Sequence, residues 1–370
     1  MNRRWLWCVW WVLAALSGCA APTPPAEQRW VVNPAYYWQA VRGHLGVMAA
    51  ARPLTDWLAD PTTPEPLKAR LTRAQAVRAF ASDTLKLPHN SSYTRYAQLP
   101  GRAVVWNVVA APADALVLHR WCFPVAGCVG YQGFYNEADA RAYAATLPTT
   151  WDVAVYPVVA YSTLGWTNWL GGDPLLSTFM AYPEGEWARL VFHELAHQAV
   201  YVAGDTRFNE SFATAVERLG GALWLERADP ATREAYQAFD QRRQAFRALL
   251  RDAHAALQVA YQQPEAAERL AGKTQAMATV RQRYADLKKS WGGYAGYDAW
   301  MAQLNNAMLA LQSDYDDLVP AFEALYHEQG RDFGRFLVAA GDLARLPQPD
   351  RHGRLSTLAV TPTALTHTAP

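Results

Sequence analysis

The chain has 370 residues, 51% of them hydrophobic, with 16 Trp, 18 Tyr and a formal net charge of only +1. A chain of this length and apolar content buries one large core or two coupled ones, and the balanced charge excludes a nucleic-acid surface, which needs clustered basic residues. There is no internal repeat, no long charge run and no second stretch with the character of a membrane span.

Arg3 and Arg4 precede an apolar run from Trp5 to Leu16. About a dozen apolar residues are too few for a hydrocarbon core that requires ~20, so residues 1–18 read as a signal peptide. Leu16-Ser17-Gly18-Cys19 resembles a bacterial lipobox, with Cys19 as the lipidated first residue of the mature chain; an ordinary cleavage site with an incidental Cys is the alternative. Ala20 rather than Asp after Cys19 points to the outer membrane, facing the periplasm. Residues 19–33 form the expected Pro-rich tether, through Ala20-Ala21-Pro22-Thr23-Pro24-Pro25.

The body is expected as a single domain over 34–345. Helical periodicity with turns at Pro53 and around Pro61 to Pro66 predicts a helical layer within 34–100. Residues 101–182 carry the β-content. Ala103 to Val109 and Asp152 to Val159 are rich in β-branched and aromatic residues and predict strands, with a helix over Glu137 to Leu147 between them. Cys122 and Cys128 flank Pro124 and Gly127, a turn that brings two Cα atoms within disulfide range, and an oxidising periplasm permits the bond. Ala160 to Trp166 then precedes the helical remainder, 183–345, either as an edge strand for a substrate backbone or as an aromatic-capped strand end. The segment 346–370, bearing Pro, Thr and Arg, is expected to be loose.

The chemistry concentrates in the expected helices Glu186 to Val202 and Asn209 to Arg227. His193 and His197 are four positions apart, so their imidazoles lie one above the other on one helix face and can bind one Zn2+. Glu194 sits one step round, suited to reach a metal-activated water rather than the metal, as a general base must. Glu210 follows His197 by thirteen residues, beyond a Gly204-Asp205-Thr206 turn that reverses the chain. It supplies a third ligand and leaves a fourth coordination position open, which distinguishes a catalytic from a structural zinc. The alternative is a pair of surface histidines on an amphipathic helix. Glu217, seven residues after Glu210, shares its helix face and either orients a ligand histidine or is a solvated Glu beside Arg218.

His193 to Gln198 and Asn209 to Ala213 resemble the His-Glu-Leu-Ala-His-Gln and Asn-Glu-x-Phe-Ala signatures of gluzincin metallopeptidases, above all alanyl-aminopeptidase-like enzymes. A nearer similarity is to the bacterial family of predicted aminopeptidases carried on lipoproteins, through Trp121 to Pro124, Ala160 to Trp166 and Leu304 to Ala307. The resemblance implies His193, His197 and Glu210 as ligands of one zinc per chain, Glu194 as base, peptide substrates, and a tyrosine to stabilise the oxyanion. Tyr315 is the candidate, with Tyr161, Tyr201, Tyr294 and Tyr297 competing. It also implies an α+β, predominantly helical, zincin-like core with a small sheet beside the zinc helices. The chain departs from the gluzincin pattern in three ways. Its His197 to Glu210 spacing is several residues shorter. It has no Gly-x-Met-Glu-Asn segment, whose Glu holds the substrate amine in alanyl aminopeptidases. Thr214 stands where thermolysin-like enzymes put an Asp. An endopeptidase or cell-wall peptide hydrolase with the same chemistry, or a non-catalytic envelope lipoprotein with a structural zinc, are the competing readings.

Overall fold

The computed structural model describes residues 28–124, 127–160, 163, 171–311 and 318–360. Its elements run β1 (Gln28–Trp30), α1 (Pro34–Ala50), β2 (Ala51–Pro53), α2 (Leu54–Ala59), α3 (Glu65–Asp83), β3 (Arg95–Ala97), β4 (Val105–Pro112), β5 (Arg120–Phe123), β6 (Gly127–Val129) and β7 (Gln132–Phe134). There follow α4 (Glu137–Ala144), β8 (Trp151–Val158), β9 (Leu175–Leu176), α5 (Ser177–Met180), α6 (Glu184–Ala199), α7 (Thr206–Glu226), α8 (Pro230–Tyr261), α9 (Ala266–Ser290), α10 (Asp298–Met301), α11 (Asn306–Ala310), α12 (Val319–Glu328), α13 (Phe333–Ala344) and α14 (Gln348–Val360). The architecture is α+β, mostly helical with small sheets.

Among the described residues the strands form three three-stranded sheets rather than one. The longest ladder is antiparallel, β4 on β8, from Val105 opposite Val158 to Pro112 opposite Trp151, with β7 on the other edge of β4. Val108, Val109, Ala110 and Ala111 of β4 are all fully buried, so both faces of the strand are covered. The second sheet joins β2, β3 and β9. The third pairs β1 in parallel with β5, which turns through a hairpin into β6; there Cys122 and Cys128 face each other across the ladder and are joined by a disulfide.

Two expected boundaries move. The tether, expected to run through residue 33, ends earlier, because Gln28–Trp30 form a strand and the Val31 amide donates to the Cys122 carbonyl at 3.0 Å. The tail, expected to be loose from 346, contains helix α14, anchored by fully buried Leu355 and by Arg351, 3% exposed.

The main core gathers α3, α6, α7, α12 and α13 around Phe192, Phe208, Phe212, Phe322 and Phe336, all fully buried. Burying such side chains contributes roughly 1.5–3 kcal/mol each, which makes α6 and α7 the rigid centre of the molecule. The long α8 and α9 helices pair over their own apolar seam of Phe246, Leu250, Leu257, Met277 and Val280. Among the described residues, no helix is long and apolar enough to cross a membrane.

Candidate metal centre

Helices α6 and α7 form an antiparallel hairpin, and the local sequence shows how. Gly204, at φ +81°, takes the left-handed turn conformation that side-chain-bearing residues avoid. Asp205 then caps α7 by accepting from the Phe208 amide at 3.1 Å. Asn209 clamps the turn from both sides, its Oδ1 accepting from the Val202 amide and its Nδ2 donating to the Val202 carbonyl, both at 2.8 Å. Asn209 therefore fixes where the next residue, Glu210, enters the hairpin. Deeper in, Gly221 passes so close that a Cβ there would lie 2.5 Å from Arg189 Cγ; only glycine lets the guanidinium of Arg189 run between the helices.

The hairpin brings His193, His197 and Glu210 together. Their ligand atoms all lie within 4.8 Å of one another. The two Nε2 atoms are 3.2 Å apart; His193 Nε2 is 3.4 Å from Glu210 Oε2, and His197 Nε2 is 3.7 Å from Glu210 Oε1. Ligand atoms ~2.0–2.1 Å from one tetrahedral zinc sit about 3.3 Å from each other, so the observed spacing fits a divalent ion. The donor chemistry fits as well. His193 Nδ1 lies 3.1 Å from Glu217 Oε2; with the Nδ1 proton donated there, Nε2 would offer its lone pair beside the other two ligands once metal binding displaces the second ring proton.

Glu217 is thus at His193, not in solvent beside Arg218. Its other oxygen accepts from Arg189 Nη2 at 2.6 Å, and Arg189 Nη1 donates to the Tyr236 hydroxyl at 2.5 Å. Glu186 and Asp240 also flank Arg189, at 3.8 and 3.6 Å, and Arg243 donates to both carboxylates. A buried chain of charges therefore runs from His193 out to α8. Arg189 was not read from the sequence. Its signal was an Arg four positions before His193 on the same helix face, inside the apolar stretch Trp187 to Phe192.

The charges on this chain decide its protonation. Burial opposes charge on His193, but hydrogen bonds to Glu210 and Glu217 and the charges of Glu217 and Glu194 outweigh it and raise its pKa well above the ordinary value. Burial and the neighbouring His193 push His197 down to about 4. Burial would raise Glu217, but the hydrogen bond to His193 and the Arg189 charge bring it down to about 2. Burial and the nearby carboxylates Glu217 and Asp240 raise Glu186 to about 7 despite Arg189.

Glu194 is one position from His193 on α6 and is not among the three convergent ligands. Gln198 turns away, its amide bonded to Asn90 Nδ2 at 2.7 Å and Ser92 Oγ at 3.3 Å, which holds the 88–94 loop against α6. Tyr201 stacks edge-on to His197, with ring centroids 6.4 Å apart. Tyr294 and Tyr297 belong instead to the aromatic cluster with Trp291 and Phe246. Tyr315, Tyr161 and Cys19 lie outside the described residues. Sequence reading missed Tyr131, in the link between β6 and β7. The residue is 40% exposed, and partial burial, then the negative charges of Glu210 and Glu194, raise its hydroxyl pKa. No local pattern connects it to α6 and α7; only the tertiary fold does. Cavities of about 380 Å³, beside residues 29–39, and about 630 Å³, beside Arg78 and Asn90, do not include the three ligands.

The family model described as "Putative aminopeptidase" matches residues 35–355. The chain belongs to this family. Comparison with curated proteins and with solved structures gives no match. Membership of this aminopeptidase family supports peptidase activity at a coarse level, and the matched span contains α6, α7 and every residue of the charge chain.

One expected result follows from the geometry. Glu217→Ala removes the partner of His193 Nδ1 and leaves Arg189 buried opposite a void, so metal affinity should fall 10–100-fold. Competition with a chromogenic chelator measures it; unchanged affinity would mean that Glu217 does not orient His193.

Proposed function

We propose that the protein is a zinc-dependent peptidase of the gluzincin type that removes N-terminal residues from peptides. The observation that carries the reading is the convergence of His193, His197 and Glu210 with Glu194 adjacent on α6. The family supports the aminopeptidase direction. Two imidazoles and one carboxylate suit zinc and leave a coordination position for water or substrate. Zinc held there supplies the Lewis acidity that makes water acidic near neutral pH and polarises a carbonyl. Glu194 takes the proton of the attacking water and later passes it to the leaving amine. Glu217 and Arg189 hold His193 in the tautomer that turns Nε2 to the metal. Tyr131, whose hydroxyl feels the charges of Glu194 and Glu210, stands beside Tyr315 as a second candidate for the donor to the oxyanion of the tetrahedral adduct. In the same reading Cys19 carries the lipid anchor and the enzyme works from the outer membrane into the periplasm.

The test joins metal analysis to product identification. The chain from Ala20 onward should carry one zinc, lose activity with chelator, and release residues stepwise from free but not N-acetylated peptides. Internal cuts would replace the aminopeptidase by an endopeptidase, and bound zinc without cleavage of any peptide would sink the reading. Tyr131→Phe should lower kcat by about 10²–10³ with little change in KM; wild-type kcat would return the oxyanion role to another tyrosine.

A further inference from the structure

Helix α1 packs Tyr36 and Val47 inward, Tyr36 against Phe123 and Phe134, and carries a second apolar stripe on its outer side. Its inner side meets β7: Gln39 Nε2 donates to the Gly133 carbonyl at 3.3 Å, Gln39 Oε1 accepts from the Tyr135 amide at 3.1 Å, and Gly43 lies against the Tyr135 ring. The outer side presents Trp38, Val41 and Leu45, 68%, 53% and 53% exposed, in the three-and-four spacing of one helix face. Trp30 and Val32, just ahead of the helix, are also 60% and 81% exposed. A stripe of this kind normally faces a core. Here Trp38, Val41 and Leu45 stand outside, on the side away from Gln39 and Val47.

The charge pattern selects what covers it. Residues 28–50 contain no Asp or Glu, and their fixed charges are Arg29 and Arg42, both exposed. We infer that this face of α1, with Trp30 and Val32, docks onto the anionic surface of a lipid bilayer, the helix lying in the interfacial plane. Trp is favoured at the depth of the headgroups, Val and Leu reach the acyl boundary, and Arg meets anionic lipid. A second copy of the chain would need no such bias toward cationic residues. Chain length agrees with the orientation. Eight residues, 20–27, separate Cys19 from Gln28, and a fully extended chain covers at most ~3.6 Å per residue, so a lipid on Cys19 would keep Gln28, six residues ahead of α1, within about 30 Å of the membrane. One lipid chain gives marginal anchoring, and a second membrane contact makes it stable.

The experiment separates the face from the anchor and from the catalytic reading. The unlipidated chain from Ala20 onward is sedimented with vesicles of phosphatidylglycerol and phosphatidylethanolamine, and with vesicles of phosphatidylcholine alone. Wild type should sediment with the anionic vesicles and not with the zwitterionic ones. Trp38→Ser with Leu45→Ser should lower vesicle affinity at least tenfold, and Arg42→Gln severalfold, with thermal unfolding and peptide hydrolysis unchanged. The inference is overturned if wild type stays in the supernatant with every vesicle, or if the double variant binds as well as wild type. A concentration-dependent dimer that ignores vesicles and is lost in the double variant would also overturn it, and would assign the face to a second copy.

Discussion

Glu194→Gln is expected to leave one metal ion per chain and to lower kcat by about 10²–10⁴, the range carried by a positioned general base. The substitution keeps shape and hydrogen bonding but removes the group that accepts a proton. It should spare the metal because the convergent ligands are His193, His197 and Glu210, with Glu194 outside their set. His193→Ala should behave differently. It deletes a ligand and also strips Glu217 of its imidazole partner, leaving that carboxylate buried with Arg189 alone. Metal and turnover should then be lost together. Parallel metal analysis and steady-state kinetics on both variants separate the two roles. A Glu194→Gln enzyme with wild-type kcat and full zinc would show that another group takes the proton.

Where function was legible in the sequence, the relevant geometry was local. His193 and His197 share a helix face by spacing alone, Glu210 needed only the chain reversal at Gly204, and Glu217 followed from the two-turn repeat along α7. Strands β4 and β8 were visible as β-branched and aromatic runs, β4 because it is buried along nearly its whole length, although the observed limits are shifted by up to three residues. What could not be read depends on contacts distant in sequence. Arg189 looks like a solvated helix charge until Glu217 and Tyr236 arrive from two other helices. Tyr131 precedes His193 by 62 residues. The three-residue strands β1, β2 and β3 are too short to show a period, and their pairing is set by partners such as Arg120 to Cys122. Pro347, Pro349 and several Thr gave the C-terminal segment a loop-like composition, yet prolines at a helix start are tolerated because the first amides have no partner there, and α14 begins between them.

That helix carries the second large expectation. Arg351 of α14 reaches back to Asp205, the cap of α7, with Nε and Nη2 at 3.0 and 2.6 Å from Oδ2, and His352 Nε2 stands 2.8 Å from the same oxygen. The pair is almost wholly buried, at 4% and 3% side-chain exposure, and the guanidinium also donates to the Ala344 and Leu346 carbonyls. Removing one partner leaves a buried charge uncompensated, so Arg351→Ala should destabilise the fold by about 3–5 kcal/mol, a large share of a typical ~5–15 kcal/mol total. Because Asp205 also caps the helix bearing Glu210, metal affinity should weaken too. The pH dependence has a definite sign. Burial would raise the Asp205 pKa, but Arg351, the Phe208 amide and His352 bring it below the ordinary value. The unfolded chain therefore binds this proton first, and the stabilisation present above about pH 4, the usual range for Asp, is lost as pH falls through the lower folded pKa. Arg351→Ala should flatten that acid limb while lowering stability at neutral pH. Urea unfolding of the metal-free protein between pH 3 and 7 measures both effects. Equal stability of the two proteins at pH 7 would mean that α14 is not held by this pair, and that the hairpin carrying the metal ligands keeps its turn without help from the C-terminal helix.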